Sequence, residues 1–539
     1  MIDSAGGGLE LRRVFDFASL GFAWDRQDKQ RKSRAGLRRD SGERIRRSFE
    51  MRARRIKCEW FLLICVVFLL GGCGAVFAER PVKKAVLNAE KQYQVIDGFG
   101  ANINPAQWRD GRLKVAIDLL VDELGCSLFR FDCYGQANWL KPSKRGEDGR
   151  YPEAYLEEVY TSKVFRDAWE TYRYMQSKGV KLFLNVSGRI PAGLAGSDGE
   201  RLVDYDGYAE MVVSLLKWAR YRERLDFTLF GPYNETDLGR QEGPRLFLSD
   251  CLPVTKAILK KMKAAGLGDV KLMVMDDSGV HLDKLEEFLK DSEMVESMGC
   301  FAIHTYGNGL YADGGDSWYL NPNRFRSMVE RISKSPYKDC RVWMTEYGDL
   351  DQSEEIEFGI AWRSTRRLLR FLNDGVSAGL VWDAFDNYHK HDESWSIYGL
   401  LRTDREKWEY TPKRRFYSAK QVFRYVKPGF KRVEVSALNE NRDDIYYYAR
   451  NPLRHILMSG FVSPERNDFT VVGMSTIEHN VFLDIKLKGL SREAESKTVF
   501  YYRTSRDEDC RKIEEIRIKD GSVKALIKKG SIFTLTTVE

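Results

Sequence analysis

Short apolar runs, each broken by polar loop residues and followed by a helical pattern, recur eight times between residues 94 and 387. They are QVIDGFGAN (94–102), CSLFRFDCYG (126–135), VKLFLNVSGR (180–189), FTLFGPYNE (227–235), VKLMVMDDSG (270–279), CFAIHTYG (300–307), CRVWMTEYGD (340–349) and AGLVWDAFDN (378–387). Runs of this length read as buried strands. Stretches between them, such as YAEMVVSLLKWARYR and LPVTKAILKKMKAAG, carry apolar residues at helical spacing. Strand–helix alternation predicts a parallel sheet with right-handed crossovers, and eight units predict a (β/α)₈ barrel. A doubly wound open sheet would want a Gly-rich phosphate loop after its first strand, and GFGANINP is not GxGxxG. The expected fold class is therefore α/β, with a TIM barrel over 94–418.

After Tyr417 the rhythm changes. FKRVEVSAL, DIYYYARN, HILMSGFV, DFTVVGM, VFLDIKL, TVFYYRT and SIFTLTT are strand-like runs parted by turn residues. They predict an antiparallel β-sandwich over 419–539. The apolar KKAVLN, within a linker at 79–93, is expected to add one more strand to it.

The N-terminal region follows different rules. Residues 1–50 show no apolar period and read as a disordered or mis-called extension, with Met51 as the expected start. Arg52 to Lys57 form a positive flank before an uncharged run from Trp60 to Ala78. That layout suits a secretory signal over 51–78, with Val76-Phe-Ala78 for ordinary cleavage. Leu70-Gly-Gly-Cys73 resembles a bacterial lipoprotein box. An uncleaved anchor is the third reading, since 19 apolar residues span roughly 28 Å as a helix. Each places the body outside the cytoplasm, with membrane contact only through this segment.

The 87 basic and 79 acidic residues give a net charge of +8. All of that excess lies in residues 1–57, which hold 16 Lys/Arg against 8 Asp/Glu. A neutral body with no basic stripe excludes a nucleic-acid partner. Of the nine cysteines, the six in the body, Cys126, Cys133, Cys251, Cys300, Cys340 and Cys510, are too sparse for a disulfide scaffold and lack zinc spacing. Cys300 and Cys340 each stand six residues before a rim residue on neighbouring strands, so they are expected close together as two packed thiols or a disulfide.

Barrel chemistry sits at the C-terminal ends of the strands. There the fourth strand ends Asn234-Glu235 and the seventh Thr345-Glu346-Tyr347, the second carries Arg130, and the sixth carries His304 and Tyr306. Two glutamates facing one cavity suit glycoside hydrolysis, in which a retaining enzyme holds its carboxyls roughly 5–5.5 Å apart. Glu346 would stay ionised through Arg130 and Tyr306, and Glu235 would stay protonated in an apolar setting. Asn234 would hold a sugar hydroxyl. Asp276-Asp277 with His281 and His304 raise the question of a metal. A chain turn explains the aspartates more simply, and neither metal nor cofactor is expected.

Asn-Glu ending strand four and Glu ending strand seven resemble the clan A retaining glycoside hydrolases. The finer resemblance is to glycoside hydrolase family 30, which includes glucosylceramidase-like and endo-β-1,6-glucanase-like enzymes. It is carried by YQVIDGFGAN, HTYG, WMTEYGD, the barrel exit PKRRFYSAKQVFRYVKPGFKRV and the closing DGSVKALIKKGSIFTLTT. It covers the whole body from Val82 to Glu539, and implies Glu235 as acid/base and Glu346 as nucleophile. Thr236 stands where that family usually has proline, and SGRIPAGL is a loose version of its Trp- and Pro-rich loop. Trp382, at the end of strand eight, is expected as a platform under the reacting sugar. Trp108, Tyr134, Trp139, Tyr233, Trp318 and Trp395 are further stacking candidates, and FDNYHKHDESWSIYGLL is expected to wall the cleft. The expected partner is a β-linked oligo- or polysaccharide. The alternative is a non-catalytic carbohydrate-binding surface protein on the same scaffold.

Overall fold

The computed structural model describes residues 82–134, 139–307, 323–350, 357–389, 394–437 and 456–539. The segment 51–78 lies outside them, and among the described residues no helix is long and apolar enough to cross a membrane.

Eight strands close into a parallel barrel: β2 (Gly98–Ile103), β3 (Leu128–Tyr134), β4 (Lys181–Ser187), β5 (Leu229–Gly231), β6 (Lys271–Asp277), β7 (Met298–Gly307), β8 (Arg341–Asp349) and β9 (Ala378–Val381). β2 pairs with β9 to complete the ring, and the short strands β10 (Asn387–His389) with β11 (Ser394–Ser396) and β12 (Leu401–Thr403) with β13 (Tyr410–Pro412) form two antiparallel pairs after it. Side chains alternate as a closed sheet requires. Phe99, Phe129, Leu182, Phe230, Val274 and Ile303 face outward into the large core shared with the helices. Leu128, Phe183, Met273, Cys300, Ala302 and Leu380 face inward and form a separate apolar cluster. Two residues further along three of these strands, the interior turns polar: Leu128 gives way to Arg130, Phe183 to Asn185 and Ala302 to His304, all buried. The barrel thus has an apolar floor and a polar upper layer, where the site is built.

The second sheet has nine strands. β1 (Val82–Val95) and β14 (Lys431–Ala437) lie side by side within it, with β15 (Ile456–Val462), β16 (Phe469–Ser475), β21 (Ile532–Thr536), β18 (Thr498–Ser505) and β19 (Glu508–Arg517) following on one side. β17 (Val481–Lys488) and β20 (Ser522–Ile527) follow on the other. The sheet is mixed where the sequence predicts an antiparallel sandwich. β1 arrives from before the barrel and pairs antiparallel with β14 but parallel with β17. Its edge strands β19 and β20 touch, so it curls nearly closed around Leu87, Val433, Val471, Leu483 and Leu535. The helix Arg414–Phe423 ties it to the barrel, with Gln421 donating to Thr504 at 2.9 Å and accepting from Thr534 at 2.6 Å.

Cys300 and Cys340 are free thiols. Cys300 pairs across the sheet with Arg341, so Cys340 is one position out of phase. Cys300 joins the inner cluster, whereas Cys340 packs against the outer one.

Candidate active site

Glu235 lies four residues beyond the end of β5, in a backbone conformation unusual for a residue with a side chain. Its φ is +36°, in the left-handed region that a Cβ disfavours. Its amide donates to the Asp276 carbonyl at 2.8 Å, and its carbonyl accepts from Leu238 and Gly239 at 2.9 and 3.1 Å. The loop then folds back on Asn234, whose Nδ2 donates to the Glu242 carbonyl at 3.1 Å. Gly243 permits this approach, because a Cβ there would stand 2.0 Å from the Asn234 carbonyl oxygen.

Glu346 reaches the same cavity through an irregularity. Ile303 of β7 pairs with Met344 of β8, but His304 pairs with Glu346, leaving Thr345 extra. Strict alternation from Trp343, which packs against the inner cluster, would turn Glu346 outward. The bulge turns it in. β6 repeats the device: its pairing skips Asp276, and Met275 and Asp276 both have positive φ, +73° and +48°. Consecutive aspartates consequently diverge, Asp276 into the site and Asp277 toward Lys284.

Arg130 is the centre of the cluster and is fully buried. Nη1 donates to Asn102 Oδ1 at 2.9 Å and to Glu346 Oε1; Nη2 donates to Asn234 Oδ1 at 2.6 Å and Asp276 Oδ2 at 2.8 Å. Tyr306 donates its hydroxyl to Glu346 Oε2. His304 sets Nδ1 2.8 Å from Glu235 Oε1 and Nε2 3.0 Å from Asp276 Oδ1. Both catalytic candidates keep a small opening to solvent, 7% for Glu235 and 5% for Glu346. Among the described residues no donor reaches Glu235 Oε2, whereas both oxygens of Glu346 are held.

Burial pushes the Glu346 carboxyl up; the His304 and Arg130 charges oppose this, and the balance is upward, with Glu235 adding to it. Burial would drive His304 down, but the Glu346 and Asp276 carboxylates hold it well above the ordinary histidine value. The ring is then an imidazolium at neutral pH, donating from both nitrogens. Burial likewise opposes ionisation of Asp276, yet Arg130 and His304 hold it well below the usual carboxylate range. Two buried cations thus face three carboxyls, an imbalance that favours one bound proton.

The structure brings Asn234, Glu235, Arg130, His304, Tyr306 and Glu346 together. Trp382 follows β9, its amide donating to the Tyr347 carbonyl at 2.9 Å, and its ring stacks on His389 at 5.1 Å. Trp108 and Tyr233 are buried core residues, and Trp395 packs edge-on against Trp408. The side chains of Tyr134 and Trp318 lie outside the described residues. Asp276 and Asn102 are the additions. Asp276 is a buried charge partner, not a residue that merely turns the chain. Asn102 fastens the site to β8 and β9 by donating to the Thr345 carbonyl at 2.9 Å and the Val381 carbonyl at 3.3 Å.

The suggested metal group is divided: His281 pairs with Asp237 at 3.0 Å and Asp277 with Lys284, away from His304. Glu235, His304 and Glu346 can each offer one ligand atom within 4.8 Å of the others. An ion there would have to displace an imidazolium whose two nitrogens are already spent on carboxylates, so the donor set fits a metal poorly.

No protein-family model matches the chain, and no curated protein does. Solved structures do. An endoxylanase of glycoside hydrolase family 30 from Clostridium papyrosolvens C71 superposes with TM-score 0.60 at 17% identity, over 84% of this chain and 99% of that one. The fold is that of glycoside hydrolase family 30. A conserved exported protein from Bacteroides fragilis matches at TM-score 0.63 and 15% identity, over 84% and 100% of the two chains. An endo-β1,6-glucanase matches at 0.57 and 15%, over 84% and 94%.

Proposed function

We propose that this protein is a retaining glycoside hydrolase acting on a β-linked oligo- or polysaccharide outside the cytoplasm, with Glu346 as nucleophile and Glu235 as acid/base. The observation that carries the reading is the pair of carboxylates offering oxygens within 4.8 Å of each other, held unequally. That spacing is nearer the roughly 5–5.5 Å between the carboxyls of a retaining enzyme than the roughly 6.5–9.5 Å of an inverting one, and so favours a covalent intermediate. The inequality supports the roles. Arg130 and Tyr306 donate to both oxygens of Glu346, which favours an anion. Among the described residues no donor reaches Glu235 Oε2, which leaves that oxygen available to carry a proton.

In the first step Glu346 attacks the anomeric carbon, the bond from that carbon to the leaving oxygen breaks, and Glu235 gives its proton to that oxygen. In the second, water attacks the same carbon, Glu235 takes the water's proton, and Glu346 leaves as a carboxylate. Asn234, fixed by Arg130 and the Glu242 carbonyl, is set to meet a hydroxyl of the reacting sugar, and Trp382 to stack beneath it. The family 30 neighbours include a xylanase and an endo-β1,6-glucanase, so xylan and β-1,6-glucan head the substrate panel.

The test is sugar release from such a panel by the protein starting at Glu79, beside Glu346→Gln and Glu235→Gln. Cleavage lost in both variants supports the reading. Sugar binding without cleavage of any substrate would favour the non-catalytic carbohydrate-binding alternative.

A further inference from the structure

Glu235 is followed by a threonine with no exposed surface. Thr236 Oγ1 donates to Asp277 Oδ1 at 3.0 Å and accepts from Lys284 Nζ at 2.6 Å. Lys284, from the helix Leu282–Lys290, also donates to both oxygens of Asp277, each at 2.7 Å. Asp277 is fully buried and Lys284 nearly so. The ammonium has three protons, and these three acceptors use them all. A buried ion pair is an expensive way to fill space, since apolar residues of similar volume do so at no desolvation cost. What the pair adds is direction.

That direction concerns the acid/base. Asp276 and Asp277 sit together at the β6 bulge and grip consecutive residues of the facing loop. The Asp276 carbonyl takes the Glu235 amide, and the Asp277 carboxylate takes the Thr236 hydroxyl. Between those grips lies the left-handed φ of Glu235, a conformation that persists only when its surroundings over-determine it. Among the described contacts, Thr236, Asp277 and Lys284 make no hydrogen bond to Arg130, His304 or Glu346. Thr236 reaches the site through its neighbour Glu235, and Asp277 reaches it also through its neighbour Asp276, so Thr236 is the cleaner probe.

We propose that Thr236, Asp277 and Lys284 are positioning residues that hold the Glu235 backbone in its strained conformation and so aim its carboxyl at the leaving-group oxygen. This rests on Glu235 being the acid/base, as argued above.

The test exploits leaving groups. A 2,4-dinitrophenyl glycoside departs without proton donation, whereas an unsubstituted phenyl or alkyl glycoside requires it. kcat/KM for both kinds, on the sugar that the wild type cleaves, is measured for Thr236→Val, Thr236→Ser, the charge-neutral double variant Asp277→Asn/Lys284→Met, and Glu235→Gln. Thermal unfolding of each runs alongside. In Thr236→Val the poor leaving group is expected to lose about tenfold or more and the dinitrophenyl substrate less than about threefold, since general acid catalysis contributes about 10²- to 10⁴-fold. The double variant is expected to follow the same pattern, and Thr236→Ser, which keeps the hydroxyl, to stay near wild type. Equal loss on both kinds of substrate would reduce the trio to ordinary structural support and overturn the proposal, as would no loss at all. If Glu235→Gln itself shows no leaving-group dependence, the acid/base assignment fails first. If it does and Thr236→Val does not, only the positioning role fails.

Discussion

Arg130 donates Nη2 to Asp276 Oδ2 at 2.8 Å, and neither side chain has any exposure. This pair underlies the site, because the same guanidinium holds Glu346, Asn234 and Asn102. Arg130→Met would leave buried carboxylates uncompensated, and loss of one partner of a buried pair costs about 3–5 kcal/mol. Arg130→Lys keeps the charge but not the planar fork. Denaturant unfolding is expected to show the large loss in Arg130→Met, and hydrolysis to collapse in both.

Asp276 makes stability depend on pH in a defined direction. Its folded pKa is depressed, so its contribution is present above the unfolded value near 4 and is lost as pH falls through the folded value. Asp276→Asn should therefore be less stable than wild type at neutral pH, with the gap narrowing below about pH 4. Urea unfolding across pH 2–7 reads it. A gap that widens on acidification would contradict the assignment.

His304 has the opposite sign. Its raised folded pKa means that its stabilisation is full below the ordinary value of 6.5 and is lost as pH rises through the folded value. His304→Gln should narrow its stability deficit at alkaline pH. An NMR titration of the imidazole should find it still protonated at pH 7.

Glu346 must be ionised to attack, and burial raises its pKa. The acidic limb of kcat/KM is therefore expected above the ordinary glutamate value of 4.5. Tyr306→Phe removes a donor that favours the anion, so that limb should move further up. A hydrogen bond to a charged group contributes about 1.5–3 kcal/mol, so kcat/KM at the optimum should fall about 10- to 100-fold.

Much of this was legible in the sequence, and the failures share a cause. The strands could be counted because apolar runs and amphipathic helices alternate, and the residues at the strand ends could be read off as chemical types. Asp276 escaped because counting by twos from the inward Met273 points Asp277 into the barrel; the bulge that reverses them leaves no mark in composition. The same blindness applied to Glu346, found from its chemistry and not from its phase. KKAVLN could be read as a strand of the second sheet, but its parallel pairing with β17 joins segments that lie before and after the barrel in the chain, which no local pattern encodes. Cys300 and Cys340 were placed by counting to the rim, and the one-residue offset put them on opposite faces.

The most direct test of the central claim is covalent trapping. The protein is incubated with 2,4-dinitrophenyl 2-deoxy-2-fluoro-β-xyloside and the corresponding β-glucoside, digested, and mapped by mass spectrometry. The account predicts a single fluoroglycosyl adduct on the peptide containing Glu346, absent from Glu346→Gln. An adduct on another carboxylate, or hydrolysis of a natural substrate with inverted configuration, would contradict it.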